Sequence, residues 1–207
     1  MSDKIIVIAG YSGHGLVVAD AAFSAGIKLS HYTDRNKSKL NPHKIKYLGL
    51  ESNSDFFDKG LNLEFILGVG DNTIRNKVFQ LLISKNIDVL NVIHNSCLIS
   101  ENVSLGVGNF ISKNVAINPL AKIGNACIIN TGAIVEHECI IGDAAHIAPG
   151  AVLAGNVVIG KGSFIGANSV IKNGVTIGRN VIIGAGAVVI KDVADNQVMV
   201  GNPARNI

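Results

Sequence analysis

Residues 133–160 read AIVEHECIIGDAAHIAPGAVLAGNVVIG, and in this stretch an aliphatic residue returns at every sixth position. The same phase runs unbroken from Ile93 to Val189, and all seventeen positions in it are Ile, Leu or Val. With 48% of the chain hydrophobic, chance agreement over so many positions has a probability of roughly 10⁻⁵ or less. The period of six is therefore a property of the fold.

A second position in each six-residue unit is also restricted. It lies four residues after the aliphatic one and usually holds a small or branched side chain, with Asn109 as the clear departure. Units with one aliphatic and one small residue inward, and with Gly or Asn near the corners, are typical of a parallel β-helix. Residues 93 to about 193 are predicted to form one continuous coil.

The three cysteines, Cys97, Cys127 and Cys139, all occupy the small inward position. Their odd number and the lack of C-x-x-C spacing argue against a disulfide framework and against a zinc site. Thiols buried in this way are expected to be packing residues rather than nucleophiles. A reducing cytoplasm is the compartment that this cysteine usage favours.

The composition of the 207 residues narrows the class of protein further. Only 16% of the residues are charged and 5% are aromatic, and the 23 glycines favour a regular core of small aliphatic side chains. The net charge of +3 comes from scattered Lys and Arg, so the basic stripe of a nucleic-acid-binding protein is missing. No apolar run is as long as a membrane span, and no signal-peptide pattern is found. We expect a soluble, cytoplasmic protein.

Residues 1–92 follow a different pattern, in which short apolar runs alternate with segments of helical periodicity. Such alternation predicts a small parallel sheet with flanking helices. The predicted strands are residues 4–10, 29–34, 63–70 and a last one from Asp88, and the predicted helices are residues 14–26 and 72–86. The chain is thus divided into an α/β domain, residues 1–92, and a β-helix domain, residues 93–207.

Five motifs connect both halves to one known family. They are AGYSGHGLVV (9–18), DR (34–35), GVGDNTIR (68–75), NTGAIVEHECIIGDAAHIAPGAVLAGN (130–156) and VGNPAR (200–205). Together they resemble the bacterial hexapeptide-repeat nucleotide-sugar acetyltransferases, which include the enzyme that N-acetylates a UDP-4-amino-4,6-dideoxy sugar for bacillosamine synthesis and, as relatives, sialic acid O-acetyltransferases. The resemblance implies a left-handed β-helix, acetyl-CoA as co-substrate, and a homotrimer with active sites between subunits.

The EHE motif at 136–138 has the residue types that acetyl transfer requires. A histidine takes a proton near neutral pH, and a carboxylate orients it and stabilises the imidazolium. The resemblance places the base at His137 and its partner at Glu138, whereas Glu136 is expected at a solvent-facing turn. Adjacent strand residues point to opposite faces, so His137 meets Glu138 only at a corner or across a subunit boundary. The residues alone leave open whether Glu136 or Glu138 orients His137.

Contacts to acetyl-CoA are implied further along the β-helix. The resemblance puts His146 near the thioester and the acceptor amine, with an ordinary surface histidine as the alternative. It puts Gly155, Ala167 and Ala185 along the pantetheine arm, and a backbone N–H near Gly155 would polarise the thioester carbonyl. Glycine and alanine occur throughout β-helices, so this assignment stays open. No cluster with metal-ligand spacing is present, and no metal is expected.

The loop GYSGHG (10–15) lies between a predicted strand and a predicted helix, where free N–H groups favour an anion. It lacks the G-x-G-x-x-G fingerprint, and a simple tight turn is the alternative. The resemblance assigns Ser12, Gly13 and His14 to the sugar-nucleotide diphosphate.

Other substrate contacts are implied by the same resemblance. Asp34 falls near the base or the ribose, with Arg35 beside it, and Asn130 belongs to the longest motif. Asn72 and Arg75 begin the second helix, where helix capping is the alternative. Some relatives carry two acids where this chain reads TDRN, so UDP, dTDP and GDP all stay open.

The predicted function is transfer of acetyl from acetyl-CoA to the 4-amino group of a nucleotide-linked 4-amino-4,6-dideoxy sugar. Direct transfer is favoured, because the cysteines are packing residues. One alternative is O-acetylation of a sialic acid or another sugar, and a second is a non-catalytic β-helix binding module. The acceptor group, amine or hydroxyl, distinguishes N-acetylation from O-acetylation. A CoA-binding measurement tests the alternative of a non-catalytic module.

Overall fold

The computed structural model describes residues 4–207 and begins with a five-stranded sheet. Its strands are β1 (Ile5–Ala9), β2 (Leu29–Thr33), β3 (Lys46–Tyr47), β4 (Leu63–Leu67) and β5 (Asp88–Val89), and its helices are α1 (Gly13–Ser24) and α2 (Asn72–Ser84), with a 3₁₀ turn at Phe57–Lys59. The strand order is β3-β2-β1-β4-β5, and every neighbouring pair is parallel. The predicted small parallel sheet is confirmed, and the short β3 is an addition to it.

The two helices cover opposite faces of this sheet. The cluster on the α1 side contains Ile8, Tyr11, Val18, Ala22 and Tyr32, and the cluster on the α2 side contains Val7, Phe56, Phe65, Phe79 and Leu82. The strand order reverses between β1 and β4. From β1 the chain adds β2 and β3 on one side of the sheet, and from β4 it adds β5 on the other side. In parallel sheets of this type, a crevice opens at such a switch point, outside the carboxyl ends of the strands.

From Val92 the chain winds into a parallel β-solenoid of two-residue strands. They are β6 (Val92–Ile93), β7 (Leu98–Ile99), β8 (Ser104–Leu105), β9 (Phe110–Ile111), β10 (Ala116–Ile117), β11 (Lys122–Ile123), β12 (Ile128–Ile129), β13 (Ile134–Val135), β14 (Ile140–Ile141), β15 (His146–Ile147), β16 (Val152–Leu153), β17 (Val158–Ile159), β18 (Phe164–Ile165), β19 (Val170–Ile171), β20 (Thr176–Ile177), β21 (Ile182–Ile183) and β22 (Val188–Val189). At the far end β23 (Val198–Val200) continues the ladder, and β24 (Arg205–Asn206) pairs antiparallel to it.

From β6 to β19, each short strand pairs in parallel with the strand three places further on, so successive turns stack 18 residues apart, as Ala116 does on Ile134. The solenoid is a three-sided prism. Face 1 contains β7, β10, β13, β16, β19 and β22; face 2 contains β8, β11, β14, β17 and β20; face 3 contains β6, β9, β12, β15, β18 and β21. The seventeen residues of the six-residue phase are the second residues of these strands, and they form the solenoid core.

The corners between the faces share one backbone conformation. Every sixth residue from Gly108 to Gly186 has a positive φ, and the fourteen values lie between 52° and 73°. Gly and Asn tolerate this left-handed region best, and they hold ten of the fourteen corner positions. The regular left-handed corner is the reason why the period is six.

The residues at the small inward position pack as predicted. Cys127 and Cys139 lie in the solenoid core, and Cys97 packs against it. Burial raises the pKa of the Cys127 thiol to about 12, so this sulfur is not a nucleophile at neutral pH. Asn109 departs from the pattern without a penalty, because its Nδ2 donates to Gly124 O at 2.9 Å and its Oδ1 accepts from Cys127 N at 2.7 Å.

Face 3 is where the two domains meet. Val92, Phe110 and Ile128, on the outside of the first turns, share a buried cluster with Tyr11 and Val18 of the α/β domain. The helix α1 thus lies on the solenoid as well as on its own sheet. No helix within residues 4–207 has the length and apolar character that crossing a membrane requires.

Arg75 ties the two domains together at this boundary. It is only 1% exposed although it is charged, and burial lowers the pKa of its guanidinium to about 10, so it stays protonated at neutral pH. All five guanidinium N–H groups have acceptors: Nε donates to Ala126 O (2.7 Å), Nη1 to Val69 O (3.2 Å) and Gly70 O (2.9 Å), and Nη2 to Asn72 Oδ1 (2.7 Å) and Ala144 O (2.9 Å). Two of these acceptors belong to the solenoid, so one side chain fixes α2 against it.

Replacing Arg75 by Met should lower the free energy of unfolding by about 3 kcal/mol or more, because the buried acceptors lose charged hydrogen bonds of about 1.5 to 3 kcal/mol each. Urea titration followed by circular dichroism measures the change. Arg179→Met is the matched control, because Arg179 is exposed. A loss below about 1 kcal/mol for Arg75→Met would contradict this role.

Candidate active site

A cleft of about 410 Å³ opens at the switch point, at the carboxyl ends of β1, β2 and β4. The β1–α1 loop contributes Ser12 to its wall, the first turn of α1 contributes His14, and the loop after β2 contributes Asp34 and Arg35. The loop after β3, the loop after β4 and the helix α2 complete the wall. Four of the residues predicted to bind the nucleotide sugar therefore share one cavity.

The backbone at the mouth of this cleft is packed too closely for side chains. A Cβ on Gly15 or on Gly68 would collide with Gly10 O, so the loops after β1 and β4 can approach only as glycine. Ser12 precedes α1 with a φ of −128° and makes no side-chain capping bond. The first N–H groups of α1, which include that of Gly13, are thus left for an anion.

Asp34 organises the loop beside the cleft. Its Oδ2 accepts from Tyr11 N at 3.0 Å, and its Oδ1 accepts from Arg35 N at 2.7 Å. The Tyr47 hydroxyl donates to Asp34 O at 3.0 Å. Asp34 therefore fixes the backbone that leads to the exposed Arg35.

His14, which lines the cleft, lies next to His146. The centres of the two rings are 6.2 Å apart, and Phe110 and Phe164 pack edge-on against His14 and His146, respectively. His146 is the first residue of β15 on face 3 and is 8% exposed. It is thus a buried histidine, and the surface alternative is wrong.

Asn130 determines which nitrogen of His146 carries the proton. Its Oδ1 accepts from Thr131 N at 2.8 Å, which orients the amide so that Nδ2 faces His146 Nε2 at 3.1 Å. Because Nε2 accepts, the proton of the neutral ring lies on Nδ1. His146 Nδ1 and His14 Nε2 are both buried without a hydrogen-bond partner, so each can serve a ligand.

Both imidazoles are neutral at physiological pH. Burial, with the nearby Arg75 charge adding to it, lowers the pKa of His14 to about 4 and the pKa of His146 to about 3. A proton acceptor that works near pH 7 needs a higher pKa than these. The pair is suited to hydrogen bonding rather than to proton transfer.

The EHE motif lies elsewhere, on the corner between faces 1 and 2. Glu138 takes the left-handed corner conformation with a φ of 60°, and the turn swings its side chain to the side of His137. His137 Nδ1 lies 3.0 Å from Glu138 Oε2, and both side chains are about half exposed. Glu136 makes no such bond. The corner therefore brings together adjacent residues that a strand would separate.

The next two turns of the solenoid support this corner. Gly155 lies directly against the imidazole, since a Cβ there would be 2.5 Å from His137 Cε1 and Nε2. Asn156 Nδ2 approaches Glu138 Oε2 at 3.4 Å. The Asn173 side-chain amide donates to Gly155 O at 3.0 Å in the orientation in which its oxygen accepts from Gly174 N. Because Glu138 accepts from Nδ1–H, His137 Nε2 keeps its lone pair.

The other predicted contacts are spread over the prism. Ala167 and Ala185 stack 18 residues apart on the corner between faces 3 and 1, while Gly155 lies on the corner between faces 1 and 2. The structure therefore does not bring these three residues together in one chain, and it does not bring His137 to His146. Among residues 4–207 no group of His, Cys, Asp and Glu could hold a metal ion.

The helix α2 begins at Asn72, as predicted, but neither Asn72 nor Arg75 caps it. The helix is capped by Asp71, whose carboxylate accepts from Ile74 N at 2.8 Å. Asn72 donates to Gly162 O at 3.0 Å, and Arg75 has no free donor. Direct substrate binding by Arg75 is thus replaced by a positioning role, because its donors are used up within the protein.

Several cleft residues were missed by the sequence analysis. Leu50 and Glu51 come from the loop after β3, and Lys77 comes from α2. The only available signal was the position of a polar loop after a strand, and β3 is too short to be recognised from the sequence.

The pKa values of the histidine pair predict a pH dependence of stability. Below pH 6.5 the unfolded chain protonates His14 and His146, whereas the folded pKa values of about 4 and 3 keep both rings neutral. The free energy of unfolding should therefore be highest above pH 6.5 and fall as the pH drops toward 4, by up to about 1.4 kcal/mol per pH unit for each ring. His146→Gln should reduce this slope in urea titrations, and an unchanged slope would contradict the assignment.

Family profiles match both halves of the chain. The PglD N-terminal domain matches residues 5–82, and the bacterial transferase hexapeptide repeat matches residues 120–155 and 156–191. The first profile lies within the α/β domain, and the second lies within the solenoid.

Solved structures match nearly the whole chain. PerB from Caulobacter crescentus, in complex with CoA and GDP-perosamine, is 33% identical over 98% of this chain and 97% of its own, with a TM-score of 0.91. The acetyltransferase domain of PglB from Neisseria gonorrhoeae is 28% identical over 99% of each chain, with a TM-score of 0.90. WeeI from Acinetobacter baumannii is 29% identical over 99% of this chain and 100% of its own, with a TM-score of 0.89. Agreement of this extent across both domains shows that the chain belongs to the hexapeptide-repeat nucleotide-sugar N-acetyltransferases with a PglD-type N-terminal domain.

Proposed function

We propose that the protein transfers acetyl from acetyl-CoA to the 4-amino group of a nucleotide-linked 4-amino-4,6-dideoxy sugar. The observation that carries the proposal is the His137 Nδ1 to Glu138 Oε2 contact of 3.0 Å, which leaves Nε2 as a free base on a solvent-exposed corner. PerB binds CoA and GDP-perosamine, and its relative PglB has been crystallised with acetyl coenzyme A. Two histidine variants of the Caulobacter crescentus enzyme have also been crystallised in complex with CoA and GDP-perosamine.

In this mechanism the sugar amine attacks the thioester carbonyl while His137 Nε2 accepts its proton. Glu138 stabilises the imidazolium that forms. As the C–N bond is made the C–S bond breaks, and the proton held by His137 neutralises the leaving thiolate. The backbone N–H of Gly155, next to the imidazole, is the candidate donor to the developing oxyanion. A cysteine is not needed, since the thiols are buried.

The cleft at the switch point holds the nucleotide sugar in this proposal. The diphosphate lies at the N-terminus of α1, near Ser12, Gly13 and His14, where the helix dipole favours negative charge. Asp34 and Arg35 flank the nucleoside. The sugar extends toward His146, whose Nδ1–H is available to a carbonyl or hydroxyl oxygen and is held there by Asn130.

The base and the cleft meet only if a second chain is present. The outward residues of face 1 are all apolar, and they run from one end of the prism to the other: Leu98, Ala116, Ile134, Val152, Val170 and Val188. Exposed apolar stripes of this length mark interaction surfaces. A homotrimer of left-handed β-helices covers this stripe and puts the adjoining His137 corner against a neighbouring chain.

The acetyl-CoA arm would then lie in the groove between two chains. Its walls combine the Gly155 corner of one prism with the Ala167 and Ala185 corner of another, which accounts for their separation within one chain. Small side chains at these positions leave room for the pantetheine. The proposed compartment is the cytoplasm, where acetyl-CoA is made available to such enzymes.

Replacing His137 by Ala should reduce kcat by about 10²-fold or more and leave KM for the nucleotide sugar nearly unchanged, because only proton removal is lost. Thiol release from acetyl-CoA against UDP-, dTDP- and GDP-linked 4-amino-4,6-dideoxy sugars measures this effect. His94→Ala is the control, since His94 is outside both sites.

Two results would contradict the proposed function. Release with hydroxyl acceptors alone would indicate a sugar O-acetyltransferase, and absence of CoA binding by calorimetry would indicate a non-catalytic binding module. A His137→Ala variant as active as the wild type would remove the base assignment.

Replacing Val152 by Asp should dissociate the trimer, because a carboxylate would be buried on face 1. Activity should fall with it, since the base and the cleft would lie on separated chains. Sedimentation velocity gives the mass, and Thr176→Asp on face 2 is the control because Thr176 is exposed. A wild type that sediments as a single chain while fully active would refute the shared site.

A further inference from the structure

Glu51 is a buried carboxylate in the wall of the switch-point cleft. It is 6% exposed, and its Oε2 has no hydrogen-bond partner. Among the described side chains of residues 4–58 and 60–207, no Lys, Arg or His forms an ion pair with it. A buried carboxylate without donors is costly, so the site is complete only with a ligand that donates hydrogen bonds.

The other acidic residue of the cleft does not fill this role. Both carboxylate oxygens of Asp34 already accept backbone hydrogen bonds, from Tyr11 N and Arg35 N. Glu51 is therefore the carboxylate in the cleft wall that keeps a buried oxygen, Oε2, without a donor from the protein.

The surroundings of Glu51 are suited to an aromatic base. The glycine-rich backbone of the β1–α1 loop forms one part of the cleft, and the aliphatic side chains of Leu50, Ile74, Val78 and Leu81 form another. The glycine-rich backbone is suited to binding phosphates, and the aliphatic side chains are suited to packing against a flat base. Leu50 and Glu51 line the same cleft, so a base packed on these side chains can turn its polar edge toward the Glu51 carboxylate.

We propose that Glu51 reads the base of the nucleotide sugar and selects guanine; this rests on the proposed function. Guanine presents two adjacent donors, N1–H and the 2-amino group, which match the two oxygens of one carboxylate. Uracil and thymine present a single N3–H between two carbonyl oxygens, which a carboxylate repels. The substrate class is then a GDP-linked amino sugar.

Nucleotide binding to the wild-type protein, measured by calorimetry, tests the assignment without relying on activity. GDP should bind more tightly than UDP or dTDP, and inosine diphosphate, which lacks the 2-amino group, should bind about 10-fold more weakly than GDP. The 2′-deoxy analogue dGDP should bind like GDP. Equal or tighter binding of UDP or dTDP would overturn the proposal, as would a loss confined to dGDP, because Glu51 would then contact the ribose.

The isosteric variant Glu51→Gln supplies the second arm. It should weaken GDP binding by about 10-fold to 100-fold and remove the difference between GDP and inosine diphosphate. Glu101→Gln, on an exposed corner, is the matched control. Unchanged GDP binding in Glu51→Gln, with an unchanged circular dichroism spectrum, would overturn the proposal. Acetyl transfer to a UDP-linked sugar would remove the guanine assignment alone, whereas absence of transfer to any amine would remove the proposed function.

Discussion

The left-handed corner at every sixth residue is the constraint on which the rest of the structure depends. It lets two-residue strands turn without longer loops, and it places the same kind of side chain inward on every turn. The resulting prism is narrow, so its core accepts Ile, Leu, Val, Ala and Cys but few aromatic residues. Rigid stacking of successive turns then fixes whatever side chains the corners carry.

The proposed catalytic pair makes use of this rigidity. His137 and Glu138 meet because a corner separates them, and Gly155 one turn later leaves space for the imidazole. His146, nine residues further on, lies on a flat face beneath the α/β domain, where burial keeps it neutral. The same residue type thus has two environments in consecutive segments: His137 is half exposed beside a carboxylate, whereas His146 is buried and suited to hydrogen bonding.

The six-residue phase made the solenoid predictable, because a strict period leaves one way to bury the aliphatic residues. The helices and the first three long strands of the α/β domain were also predictable from their apolar patterns. Arg75 was not, since its role depends on carbonyl groups 51 and 69 residues away along the chain. Glu51 follows a two-residue strand that has no periodicity to detect, and its importance lies in the absence of a partner, which only three-dimensional packing reveals.

Stacking also fixes distances along the prism axis in whole steps. Neighbouring parallel strands are about 4.8 Å apart, so each additional turn moves a corner by that amount and leaves its orientation unchanged. The α/β domain contacts the solenoid from Val92 as far as Gly162, and His137 lies within the same turns. Only the addition or removal of whole 18-residue turns would therefore keep the His137 corner on the same edge of the prism, while any shorter insertion would move it to another edge.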